Sequence, residues 1–214
     1  MTNDIAIDSS ARRTGLLILW IAVAVIFVWS AIRPHDYFTW ILEVFPAIIG
    51  AVVLALTYRR FKFTILVYIL IALHMIILMV GGHYTYAEVP IGNWIRDQFE
   101  LSRNHYDRLG HFAQGFVPSM IAREVLLRLR VVKRGSWLNT LVISICLAFS
   151  ALYELLEWTV SALTGSAGDA FLGTQGDVFD TQKDMAMALA GAIVALLVLS
   201  KLHDKQLAGL GIED

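Results

Sequence analysis

Three stretches of the 214-residue chain place carboxylates and an imidazole at spacings that suit divalent-cation chemistry. "NHYDRLGHFAQ" sets Asp107 four residues before His111, and His111 three before Gln114. "ALYELLEW" sets Glu154 three residues before Glu157, and "GTQGDVFDTQKDM" gathers Asp177, Asp180 and Asp184. On a helix, residues three or four apart share a face, so each pair presents its groups together. Carboxylates crowded at one place repel, raise one another's pKa values or recruit a cation, and a divalent metal resolves that conflict. The donors are richer in oxygen than in nitrogen and include no thiolate. That suits magnesium, manganese, calcium, or a histidine-carboxylate zinc or iron site. The reading therefore names His111, Glu154, Glu157, Asp177, Asp180 and Asp184 as metal ligands, with Glu154 and Glu157 also as proton-transfer groups. Asp107 would orient His111, and Gln114, Asp169 and His105 would surround the ligands.

The elements that must carry these groups are membrane helices. Hydrophobic residues make up 57% of the chain, charged residues 16%, and mean hydropathy is +0.65, outside the range of ordinary soluble domains. A net charge of -1, with no long basic run, gives no case for nucleic acid. The single cysteine, Cys146, lies in the apolar run "VISICLAFS" and has no second cysteine for an internal disulfide. A spanning helix needs about 20 largely apolar residues. That rule predicts an all-α polytopic membrane protein, a single integral membrane domain over 1–214 with six spans at 15–33, 38–57, 62–81, 107–126, 138–158 and 182–201. The first exceeds a signal-peptide core in length and reads as an uncleaved anchor. The fourth is interrupted by Arg123 and Glu124 and is expected to face protein rather than lipid.

Lysine and arginine accumulate in cytoplasmic loops. With the N-terminus inside, Arg12, Arg13, Arg59, Arg60, Lys62, Arg123, Arg128, Arg130, Lys133, Arg134, Lys201 and Lys205 all fall on the cytoplasmic side. Both termini are then expected in the cytoplasm. Counting about 20 residues outward from the basic boundary of each helix brings Glu154, Asp184 and His111 to one shallow depth below the outer surface. Ionisable groups at such a depth are costly unless they pair, face the bundle interior or bind something.

Other readings compete for the same residues. Asp177 or Asp180 would cap the sixth span; Glu154 and Glu157 would pair with Arg103 or Arg108; and His111 would be a hydrogen-bonded interface histidine. His74, within "IALHMIIL", reads as a polar contact to a neighbouring helix, and Ala186, Ala190, Gly191 and Ala195 as a close-packing stripe. In the long outer loop, Tyr84, Tyr86, Trp94 and Phe99 are expected at headgroup level.

Taken together, "NHYDRLGHFAQGFVPSMIAREVLLR", "ALYELLEW" and "GTQGDVFDTQKDMAMALAGA" resemble the YjdF-like family of bacterial inner-membrane proteins over nearly the whole chain. The resemblance implies a multi-pass plasma-membrane protein and brings no catalytic residue with it. The chemistry rests on topology and spacing: a divalent-metal site at the extracytoplasmic face, serving a hydrolase or transferase that acts on a lipid-borne or periplasmic small-molecule substrate. An ion- or proton-coupled transporter and a non-catalytic assembly or lipid-binding protein are the alternatives. No G-x-S-x-G or H-E-x-x-H occurs to favour a known hydrolase motif.

Overall fold

The computed structural model describes residues 2–165, 171 and 173–212. Unbroken apolar runs make long helices: α1 (Thr2–Ser30), α2 (Tyr37–Thr57) and α3 (Ile65–Tyr84), then the short α4 (Pro90–Gln98), α5 (Tyr106–Arg128), α6 (Ser136–Thr164) and α7 (Asp180–Ala208). A 3-10 turn at Tyr86–Glu88 links α3 to α4, and there is no strand among the described residues. Local signals fix the starts. Asp36 caps α2 by accepting from Thr39 N at 2.6 Å, and Thr64 caps α3 by accepting from Val67 N at 3.4 Å. The first span therefore stops at Ser30 rather than 33, with Arg33 at φ 51° just before Pro34, and the third begins at Ile65 rather than 62.

Five helices, α1, α2, α3, α6 and α7, are long and apolar enough to cross a membrane. The expected fourth span, 107–126, forms the helix α5 but is not among them, because Asp107, Arg108, Arg123, Glu124 and Arg128 dilute its apolar content. These charges are sheltered by protein. Helix α5 packs against α3, α6 and α7 together, and Asp107, Arg108, Arg123 and Glu124 are all buried. Helix α1, by contrast, lies at the rim against α3 with Leu17, Ile18, Ile21 and Val25 exposed.

Paired glycines allow the tight α5–α7 crossing. A Cβ on Gly115 would sit 1.7 Å from the Ala188 carbonyl oxygen, and one on Gly191 would sit 2.1 Å from that of Phe112. Each helix thus offers a glycine where the other's backbone arrives, the close approach that small residues permit in membranes. The contact stripe runs through Ala188, Gly191, Ala192 and Ala195; Ala186 is exposed, half a turn away from it.

The two ends of this crossing differ chemically. At the end bearing the basic loops, fully buried Glu124 accepts from Thr64 N (3.0 Å), Thr64 Oγ1 (2.8 Å), Arg128 Nη1 (2.8 Å) and His203 Nε2 (3.0 Å). Arg123 Nη1 lies 3.1 Å from His203 Nδ1. A guanidinium only donates, so Nδ1 accepts from Arg123 and Nε2 is left to donate to Glu124. This network ties the start of α3 to the ends of α5 and α7. The acids of interest lie at the opposite end.

Candidate metal centre

The ends of α5, α6 and α7 away from the basic loops bring the sequence-selected residues together. Asp107, His111, Glu154, Glu157, Asp180 and Asp184 are each at most 5% exposed. Two triads have potential ligand atoms within 4.8 Å of one another: Asp107, His111 and Asp184, and His111, Glu154 and Glu157. His111 is the hinge between them. Its Nε2 is 3.5 Å from Asp107 Oδ1, its Nδ1 is 3.6 Å from Glu154 Oε1, and Gln114 Oε1 lies 3.2 Å from Nδ1. One turn of α5 in each direction therefore supplies the partner of each ring nitrogen.

Two buried arginines divide the carboxylates. Arg108 reaches Asp184 Oδ1 at 2.5 Å, Asp180 Oδ1 at 2.6 Å and Asp177 Oδ2 at 3.2 Å. Arg103 reaches Asp180 Oδ1 at 2.5 Å and Asp107 Oδ2 at 3.6 Å, and it also donates to the Thr174 and Gly173 carbonyls. The guanidiniums thus pair with the α7 aspartates rather than with Glu154 and Glu157. Asp177 sits nearest water and binds Lys183 Nζ at 2.6 Å. That ammonium, with the Phe179 N–H, holds the Asp177 carboxyl below its ordinary range. Asp177 shapes the turn into α7, while Asp180 already belongs to its first turn.

Glu154 and Glu157 are left without such compensation. Among the described residues neither pairs with lysine or arginine, and Glu154 Oε1 is buried with no hydrogen-bond partner. A buried unpartnered carboxylate oxygen is costly, and this one faces an imidazole nitrogen and a second carboxylate. Of the remaining expected residues, Gln114 is half-buried beside His111, whereas His105 is exposed at the entrance to α5, its pKa lowered by partial burial and by Arg103 and Arg108. Asp169 lies outside the described residues.

Three contributors escaped sequence reasoning. Glu43, from α2, is 1% exposed with Oε2 unpartnered, and it couples electrostatically to Asp107 and His111. Its signal was visible, a lone acid in the otherwise apolar run "TWILEVFPAII". Tyr86 is buried rather than interfacial, because Gly81 leaves room for its ring: a Cβ there would sit 1.4 Å from the ring. Trp94 and Phe99 are exposed, as headgroup residues would be. Tyr153, one residue before Glu154, has a buried hydroxyl without a partner and a ring 6.4 Å from that of His111.

Counted together, Glu43, Asp107, Glu154, Glu157, Asp177, Asp180 and Asp184 face three permanent cations, Arg103, Arg108 and Lys183. Of these, Glu43 on α2 and Glu154 and Glu157 on α6 pair with no lysine or arginine among the described residues.

Comparison with known proteins agrees with this architecture. The family described as predicted membrane protein (DUF2238) matches residues 15–205. The chain is 47% identical over 192 residues to the inner membrane protein YjdF of Escherichia coli (strain K12), covering 90% of this chain and 92% of that protein. No solved structure matches.

Proposed function

The chain belongs to the DUF2238 family of predicted membrane proteins, and we propose that it holds a divalent ion at its outer end and uses it on a lipid-borne substrate. It is a multi-pass protein of the bacterial inner membrane. In this reading the chain is one integral membrane domain with six spans, α5 being the protein-sheltered one, and both termini are cytoplasmic. The basic loops support that orientation, since Arg59, Arg60, Lys62, Arg130, Lys133 and Arg134 all lie at the end opposite the acids.

The observation that carries the metal is Glu154 Oε1, buried, unpartnered and 3.6 Å from His111 Nδ1. We assign the ion to His111 Nδ1, Glu154 and Glu157. The alternative triad with Asp184 is already served by Arg108, and a second positive charge there would be repelled. Asp107 then accepts from His111 Nε2–H and fixes the ring, the usual arrangement of a carboxylate behind a metal-bound histidine. Asp177, Asp180 and Asp184 act through Arg103 and Arg108 as the electrostatic frame. The donor set of one imidazole and two carboxylates admits zinc, manganese or magnesium. Bound there, such an ion supplies Lewis acidity and a water that ionises near neutrality. Glu154 or Glu157 would then also serve as the group that moves a proton to the leaving group. Hydrolysis or transfer at a lipid head group follows.

Elemental mass spectrometry on protein purified in mild detergent without chelator tests this. Wild type should carry about one divalent ion per chain, Glu154→Gln and Glu157→Gln should lose it while eluting as folded protein, and Asp177→Asn should keep it. A wild type that carries no stoichiometric ion, and whose melting temperature is not raised by zinc, manganese, magnesium or calcium, removes the basis of the proposal.

A further inference from the structure

A cavity of about 500 Å³ opens beside His111 and runs down between α2, α3, α5 and α6. Its walls are hydrocarbon: Leu78, Pro118, Ile121, Val125, Leu126 and Phe149. Polar groups gather at one end, where Tyr86, His111, Gln114 and Tyr153 meet it, with His74 alone farther along. Along α5 the lining extends from Gly110 to Leu126, roughly 24 Å at the helical rise. That exceeds half of the roughly 30 Å hydrocarbon core.

We propose that this cavity is the slot for one long hydrocarbon chain of a membrane amphiphile, whose polar head is held by Tyr153 and Gln114 beside His111. The inference names the substrate class of the lipid-borne reading above and rests on that reading for the chemistry at the head. Three observations support it. Protein interiors hold few voids larger than a water molecule, and an apolar cavity stays dry, so a slot of this size in a membrane protein takes hydrocarbon from the bilayer. The polarity of the slot matches an amphiphile rather than a plain alkane, because the Tyr153 hydroxyl is a buried donor with no partner at its polar end. Finally, a second cavity of about 510 Å³ lies on the other side of Glu154, and its lining is mixed, with Glu154, Asp177 and Asp180 beside Leu155, Trp158 and Val178, so it is more polar than the first. The His111–Glu154 pair thus lies between a hydrocarbon slot and a more polar vestibule. A head group placed between them meets water from one side while its chain stays in the other.

Photolabelling of the full chain in proteoliposomes tests the slot. The probes are hexadecyl phosphate and farnesyl phosphate, each with a diazirine near the chain terminus, and a diazirine-bearing hexadecane that has no head. The phosphate probes should label peptides containing Ile121, Val125 or Phe149, the stronger of the two identifying an acyl or a prenyl source, and the headless probe should label them at least tenfold less. Ala122→Trp, which fills the slot away from the polar end, should cut that labelling at least tenfold while leaving the ion content of the protein unchanged. Ile145→Trp blocks the slot from the α6 wall and serves if the first variant does not fold. Labelling confined to outward residues such as Leu197 and Val198, labelling unchanged by both tryptophans, or equal labelling by hexadecane overturns the proposal. Failure is separable from failure of the metal reading: slot labelling in a chain that binds no ion leaves the slot standing, and a bound ion without slot labelling leaves only the metal.

Discussion

Arg108 Nη1 lies 2.5 Å from Asp184 Oδ1, and the same guanidinium reaches Asp180 and Asp177. The pair joins α5 to α7 directly above the glycine crossing and neutralises acids that would otherwise face one another. Removing one member of a buried pair strands the other, at a cost of about 3–5 kcal/mol. Arg108→Met should therefore lower thermal stability sharply in detergent, and Arg108→Lys should recover only part of it, because an ammonium cannot present a planar fork to Asp180 and Asp184 together. Static light scattering on heating checks both; an Arg108→Met protein as stable as wild type would show that the pair contributes nothing.

The glycine crossing predicts a position-specific response to one added methyl group. Gly115→Ala places a Cβ against the Ala188 carbonyl, which is backbone and yields only if the helices separate. We expect a loss of about 1–3 kcal/mol, the usual cost of overpacking. Gly15→Ala in α1 has nothing within 4 Å of its new Cβ and should be neutral or slightly stabilising. Melting temperatures of the two variants, measured side by side, give the contrast.

That these groups meet at one level of the bundle is legible in the sequence, whereas which arginines they meet is not. Counting from the basic boundary placed His111, Glu154 and Asp184 level because a helix rises by a fixed amount per residue. Nothing in that count says which face of α6 looks at α5 or where a loop arginine ends. Arg103 precedes α5 and turns back over the α7 entrance through the Thr174 and Gly173 carbonyls, a tertiary choice with no local signature. The loop position of Tyr86 suits the membrane interface, but the room at Gly81 draws it inward. The charges that weaken 107–126 as a span are the same ones that suit α5 to the inside of the bundle, where the cap of α3 and the two ends of α7 supply their partners.

The cap of α2 gives a pH-dependent contribution whose sign follows from its geometry. The Thr39 backbone N–H, bonded to Asp36 at 2.6 Å, lowers the Asp36 pKa from its ordinary value. A depressed folded-state pKa means stability that is present above the unfolded value, near 3.8, and lost as pH falls through the folded one. Asp36→Asn should keep most of the cap and abolish this acid-dependent part, while Asp36→Ala should cost about 1 kcal/mol at neutral pH. Melting curves between pH 3 and 7 distinguish the three proteins; an acid slope in Asp36→Asn as steep as that of wild type would show that Asp36 contributes none of it.

Asp107 separates the two ways an ion could use His111. If the ion binds Nδ1 with Glu154 and Glu157, Asp107 touches the ion only through the imidazole, and Asp107→Asn should weaken binding by roughly 10–100-fold, the range for a residue that orients a ligand. The asparagine oxygen can still accept from Nε2–H, so binding persists at higher ion concentration. If instead the ion sat among Asp107, His111 and Asp184, the same change would remove a direct ligand and Asp184→Asn would be equally severe. In the first arrangement Asp184→Asn acts on Arg108 and should cost stability far more than affinity. Manganese titrations followed by electron paramagnetic resonance, run on both variants with their melting temperatures, resolve the alternatives. Affinity lost in Asp107→Asn and stability lost in Asp184→Asn places the ion on the α6 side, where Glu154 Oε1 has no other partner.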